Sequence, residues 1–210
     1  QNHLNLDSEV KERAIRAAEI CKFDLVTNMV DEFTELQGII GEIYALHFGE
    51  QKQTAQAIRE HYLPISVGDD VPETVEGAMV SIVDKIDTIV GIIAVGLKPT
   101  SSHDPYALRR QGSGILKILQ EKKWPITLET LIQLSVHIYD QSAVVLTDKV
   151  TLVEDLISFF KQRMNFFFRE QGIETDVAQS VLHKQIGYTS YTMEKAKLLS
   201  TMRSSETFKP

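Results

Sequence analysis

The 210-residue chain has a single cysteine, Cys21, so it cannot close an internal disulfide, and a reducing compartment is the expected setting. Six prolines and eleven glycines are too few to interrupt long helices. No long hydrophobic run is present: the most apolar stretch, residues 89–97, is too short to cross a bilayer. The opening Gln1-Asn-His-Leu-Asn-Leu6 lacks a basic segment followed by an apolar one, so no secretory signal is expected there. Basic charge is also scarce. The net charge is −7 at pH 7. Domains built mainly to hold nucleic acid are usually basic, because phosphate neutralisation supplies most of the affinity. An RNA contact spread over the whole surface is therefore excluded, and any such contact has to be local.

What is present is ordinary globular material. Hydrophobic residues make up 43% and charged residues 24%, which argues against disorder and suffices for a core. Charge is distributed unevenly. Residues 98–123 hold six cations (Lys98, Arg109, Arg110, Lys117, Lys122, Lys123) against Asp104 and Glu121, a net of +4, which leaves −11 for the remainder.

Helical periodicity runs through the whole chain, and no segment reads as a strand. Asp7-Ser8 can cap a first helix whose apolar stripe is Val10, Ala14, Ala17, Ala18, Cys21, Leu25, Val26 and Met29. A second helix is predicted from Glu35, through Leu36, Ile39, Ile40, Ile43 and Leu46, with Gly49 as its stop. A third carries Ala55, Ile58 and Tyr62. Residues 73–95 form the most apolar helix, hydrophobic over much of its circumference and so expected at a core, with Asp84, Lys85 and Asp87 as its polar interruptions. Asp104-Pro105 reads as an Asp cap with proline at the first helical position, opening a helix to about residue 123. Thr127 can cap a helix over 128–145. Thr151-Leu-Val-Glu154 has the capping-box pattern and opens a helix that Gly172 ends. Shorter helices are predicted near 176–184 and 193–202. The weakest boundary lies at 146–150, where a helical core could hand over to an extension.

Each apparent motif has a structural reading beside the chemical one. His103-Asp104 is the dipeptide of metal-dependent phosphohydrolases, but those enzymes need further His and Asp ligands and a helical setting for the pair. Here it sits in a loop before Pro105. His3, His47, His61, His137 and His183 have no spacing that would gather a metal. Cys21 falls on an apolar face, as a buried inert thiol does. Gly112-Ser-Gly114 lacks the spacing of a phosphate loop and lies inside a helix, where small residues permit close packing. No catalytic residue and no metal site are assigned. Asp84 and Asp87 are candidates for structural ion pairs with Arg109 or Arg110. Neighbouring helical residues diverge by about 100°, so one arginine is expected to be structural and the other exposed, in an order that periodicity leaves open.

Several segments, in one order along the chain, resemble the β subunit of tetrameric bacterial glycyl-tRNA synthetase. Lys22-Phe-Asp-Leu-Val-Thr-Asn-Met-Val30 and Glu32-Phe-Thr-Glu-Leu-Gln-Gly-Ile-Ile-Gly41 are similar to KADLLTEMV and EFPELQGIMG of that family. Val83-Asp-Lys-Ile-Asp-Thr-Ile-Val-Gly91, Gly96-Leu-Lys-Pro-Thr100 and Asp104-Pro-Tyr-Ala-Leu-Arg-Arg110 are similar to its ADKLDTLVG and DPFALRR region. Residues 163–182 resemble the helix pair leading toward its anticodon-binding domain. Thr34 stands where the family has Pro, and His103 where Lys is common.

The resemblance implies an all-α fold, an HD-like helical bundle over 1–146 followed by a helical linker over 147–210. It implies an internal piece of one subunit of a cytoplasmic α2β2 glycine–tRNA ligase, in which the α subunit forms the adenylate. ATP and magnesium serve the whole enzyme and are not expected in this piece. The expected partners are glycine tRNA and the α subunit, with no membrane and no DNA. Asp84 resembles a residual terminal aspartate of the HD-type site. Lys98, Arg109, Arg110, Lys117, Lys122 and Lys123 are the expected tRNA contacts. The alternatives are an HD-type phosphohydrolase and a purely structural spacer.

Overall fold

A computed structural model describes residues 4–66, 68–100, 102–142, 148–183 and 186–203. These residues hold ten α-helices and no strand, as the periodicity predicts. The chain divides into two compact units, Gln1–Lys85 and Ile86–Pro210. The hand-over expected at 146–147 lies outside the described residues.

In the first unit α1 spans Ser8–Ile20, and the Asp7 carboxylate accepts from Glu9 N at its start. The apolar stripe predicts helix as far as Met29, but the helix stops at Cys21. A 3-10 turn at Phe23–Val26 and a short helix α2, Asn28–Glu32, follow it. The cause is polar. Asp24 is fully buried and its Oδ2 accepts from Gly38 N at 2.6 Å, while the Thr27 hydroxyl caps α2 at Val30 N. Leu25 and Val26 consequently face solvent, so their helical spacing carried no information about the core.

Helix α3, Ile39–His47, begins four residues later than predicted, because Gly38 takes φ +81°, a left-handed conformation that suits glycine. It buries Ile40, Gly41 and Ala45, and leaves Ile39, Ile43 and Leu46 exposed. Gly49 at φ +88° follows its end, as expected. Helix α4, Lys52–Glu60, packs Ala55, Ala57 and Ile58 inward against α1 and α3. The first half of α5, Val75–Ala94, completes the unit with Val80 packed on Ala17, Cys21 and Ala57. Cys21 is buried, and burial pushes its thiol ionisation up, which suits the inert reading.

The second unit contains the rest of α5, whose Ile86, Ile89, Val90 and Ile93 are all buried. It continues with α6 (Leu108–Lys122), α7 (Leu128–Asp140), α8 (Lys149–Glu170), α9 (Thr175–Leu182) and α10 (Thr189–Arg203). Helix α8 is its packing centre, meeting α6, α7 and α9, with Leu152, Leu156, Phe160, Met164 and Phe168 essentially inaccessible. Thr127 caps α7 through Thr130 N at 3.1 Å, as predicted. The capping box at Thr151–Glu154 does not open α8. Asp148 is the cap, accepting from Thr151 N at 2.9 Å and from the Thr151 hydroxyl at 2.6 Å, so the helix starts one turn earlier.

Candidate nucleic-acid contact site

The loop before α6 sets the position of the basic island. Asp104 accepts from Leu108 N at 2.8 Å and from Arg109 N at 3.0 Å, satisfying two of the donors that a helix start leaves open. It caps from a distance. Ala107 takes φ +53°, so α6 begins at Leu108 and Pro105 belongs to a turn instead of the first helical position. The carboxylate of the His103-Asp104 pair is therefore committed to backbone, and the His103 side chain is exposed. Among the described residues no group of three or more His, Cys, Asp or Glu could hold a metal ion.

Arg109 is half-buried and Arg110 exposed. Arg110 and Lys117, seven positions apart, share one side of α6. Lys122 lies further round, and Lys123 follows the helix end at φ +51°. Arg109 and Lys122 are thirteen residues apart, about 20 Å along the axis. Five of the six cations thus lie along α6 or at its end on more than one side, Lys98 precedes the helix, and the six do not form a single compact face.

Among the described residues, Lys98, Lys117 and Lys123 make ion pairs at least partly open to solvent. Lys98 Nζ lies 2.5 Å from Asp155, Lys117 4.0 Å from Glu121, and Lys123 4.0 Å from Glu194. Exposed pairs of this kind are worth about 0–1 kcal/mol, so a phosphate can displace them at little cost. Asp84 forms its ion pair with Lys22, inside the first unit. The backbone carbonyl of Asp87 accepts from the Tyr139 hydroxyl at 3.0 Å, so this residue joins α5 to α7 within the second unit.

Between the start of α6 and the middle of α8 lies a cleft of about 120 Å3, lined by Lys98, Arg109, Asp155, Ser158, Gln162 and Arg163 among others. Arg163 is absent from the sequence-based set. Its signal was a lone guanidinium in the aromatic run Phe159 to Phe168, where an arginine either packs its stem or serves a cleft. Burial first, and then the nearby charge of Arg109, push the Arg163 guanidinium below its ordinary pKa. Gly112 lets the two helices close here: a Cβ on it would stand 2.8 Å from the Phe159 ring and 3.2 Å from Arg163 Cγ. Gly112 is accordingly a packing residue, and the backbone donors of Gly112 and Gly114 lie inside the helix, not in a nucleotide cradle.

A wider cleft of about 890 Å3 opens beside α9 and α10, where Tyr188, Tyr191 and Lys195 line one wall. Both tyrosines are exposed.

A family model described as glycyl-tRNA synthetase beta subunit matches residues 2–183. The glycine–tRNA ligase beta subunit of Oceanobacillus iheyensis is 52% identical over 207 residues, covering 99% of this chain and 30% of that protein. The corresponding subunit of Shouchella clausii is 46% identical over 209 residues, 98% of this chain and 30% of the relative. That of Bacillus subtilis is 41% identical over 206 residues, 98% and 28% respectively. The chain therefore spans about three-tenths of the length of the relatives it matches.

Proposed function

The chain belongs to the glycyl-tRNA synthetase beta-subunit family, and on that premise we propose that it is a non-catalytic, tRNA-contacting scaffold within a glycine–tRNA ligase. The observation that carries this reading is the +4 island on a chain that is otherwise −11, with five of its six cations on α6 or at its end. Such contacts position RNA without reading its sequence. The adenylate chemistry, with its ATP and magnesium, is assigned to the α subunit, and the working setting is the cytoplasm. No helix among the described residues is long and apolar enough to cross a membrane. Tyr188 and Tyr191 beside Lys195 add flat faces on which unpaired bases could stack, as single-stranded RNA requires.

A Lys117/Lys122/Lys123 triple alanine variant of the whole enzyme tests the reading. Its melting temperature should match the parent, since all three side chains reach solvent. Its tRNA affinity should fall, and the slope of log affinity against log salt should flatten by about one for each phosphate no longer neutralised. Unchanged affinity and slope would make this helix a spacer.

A further inference from the structure

We propose that the cleft between α6 and α8 is a seat for one phosphate group of an RNA backbone, held by Arg163 with Arg109 and Lys98. The inference rests on the tRNA-contact reading and sharpens it to a residue that the basic island does not include.

The size of the cleft selects its guest. Ligand pockets for whole small molecules run from about 300 to 1,000 Å3. At about 120 Å3 this cleft has room for roughly four waters' worth of liquid, enough for a tetrahedral anion and too little for a nucleoside. Its chemistry selects an anion. Arg163 Nε is buried and makes no hydrogen bond among the described residues, and an unmet buried donor of this kind is costly. The guanidinium lies 5.9 Å from the centroid of the Phe166 ring, close enough for a cation–π contact.

Arg109 brings a second positive charge to the same cleft, so two like charges share a confined space. Two carboxylates stand nearby, and the charge of Asp104 offsets part of the positive charge at Arg163. Asp155 is paired with Lys98, and Asp104 accepts two backbone amides at the start of α6. A phosphate beside Arg163 would meet the unsatisfied Nε donor and add to the compensation that Asp104 supplies, and a guanidinium fork can meet two phosphate oxygens at once. Ser158 and Gln162, one turn apart on α8, offer neutral hydrogen bonds at the rim. Lys98 lines the same cleft and, by holding Asp155 at 2.5 Å, keeps that carboxylate neutralised beside the anion.

The test uses the complete synthetase, with Arg163→Gln, Arg163→Lys and Ser158→Asp made separately. Ser158→Asp sits at an exposed position and supplies a carboxylate to Arg163, so it should keep the fold while excluding the anion. Arg163→Gln and Ser158→Asp should each weaken tRNA binding by about ten-fold and flatten the salt slope by about one. Arg163→Lys should retain the slope and recover part of the affinity, because a point charge replaces a fork. At fixed ionic strength, inorganic phosphate should raise the melting temperature of the parent and not that of Arg163→Gln.

If Ser158→Asp keeps its melting temperature, affinity and salt slope while the α6 lysine triple loses affinity, the seat is wrong and the tRNA reading stands. If neither set of variants changes tRNA binding, both fall. Stabilisation by inorganic phosphate with no loss of tRNA affinity in Arg163→Gln would mean that the cleft takes a free anion only, which also overturns the proposal.

Discussion

The interior of the unit over residues 1–85 holds Asp24, Glu60, His61, Glu76 and Lys85, all less than a tenth exposed, whereas the buried polar side chains described in the unit over 86–210 are Thr189 and Thr192. Buried charges persist only where partners meet them. Lys85 Nζ donates to the carbonyl oxygens of His61 at 3.0 Å and Leu63 at 3.1 Å and to Ser81 Oγ at 2.8 Å, which uses the three protons of an ammonium. Glu60 accepts from Gln56 Nε2 at 2.9 Å, Thr74 N at 3.0 Å and the Thr74 hydroxyl at 2.5 Å, tying α4 to the entry of α5. Glu76 receives Arg13 Nε at 2.7 Å and joins α5 to α1. The second unit relies instead on volume, with Phe160, Phe168, Ile115, Leu128 and Leu156 enclosed almost completely. A hydrogen bond demands a partner in one direction, whereas an apolar contact demands only that space be filled. The first unit is therefore specified by geometry, and the second by packing.

The largest expected effect tests the packing side. Phe160→Ala should cost about 3–5 kcal/mol in a denaturant titration, because it opens a large cavity at the centre of α8. A loss under about 1 kcal/mol, the range of surface changes, would show that the second unit does not depend on its aromatic core and would erase the contrast.

A smaller effect sharpens the polar side. Glu60→Ala removes the acceptor for both Thr74 donors and should cost about 1–3 kcal/mol. Glu60→Gln keeps an oxygen on the same stem and should recover most of that stability. Equal stability of the two variants would mean that the carboxyl oxygens do not specify this region.

The smallest effect is a pH dependence. Burial pushes Lys85 down to about 8 from an ordinary 10.5, against the opposing influence of Asp84 and with that of Lys22. Above pH 8 the folded chain therefore sheds a proton that the unfolded chain keeps until about 10.5, so stability should rise over that window. Burial also pushes the Tyr62 hydroxyl up to about 12 from 10. The unfolded tyrosine loses its proton first, so from pH 10 to 12 this group acts in the opposite direction. Cys21, whose thiol burial also raises from 9, opposes Lys85 above pH 9, and Tyr139, raised to about 12, acts as Tyr62 does, so urea midpoints should climb from pH 8 to about 9 and then level or fall. Lys85→Met should abolish the climb. A climb that survives in Lys85→Met would assign it to another group.

The all-α architecture, most helix positions and the burial of Cys21 were legible from periodicity, since apolar spacing and burial go together wherever a helix has one core face. The errors have a common cause. The end of α1 near Cys21, the late start of α3 and the cap of α8 were set by Asp24, Gly38 and Asp148, each acting through a hydrogen bond or a backbone angle. Hydrophobic spacing is blind to both. At the candidate site, the different exposure of Arg109 and Arg110 followed from the helical angle, and the place of Arg163 did not, because it is fifty-four residues distant from Arg109 in sequence and reaches the cleft only through the packing of α8 on α6.

Family membership, the helical class and the basic island belong to the sequence alone, because residue order and charge are properties of the chain before it folds. Which cations share a cleft, which carboxylates are already committed, and that a guanidinium on α8 lies beside one on α6 were decided only by tertiary structure. The physical reason is distance. Electrostatic and hydrogen-bonding partners act over a few ångströms, and between helices that proximity is created by packing at positions such as Gly112, where the absence of a side chain lets α8 approach.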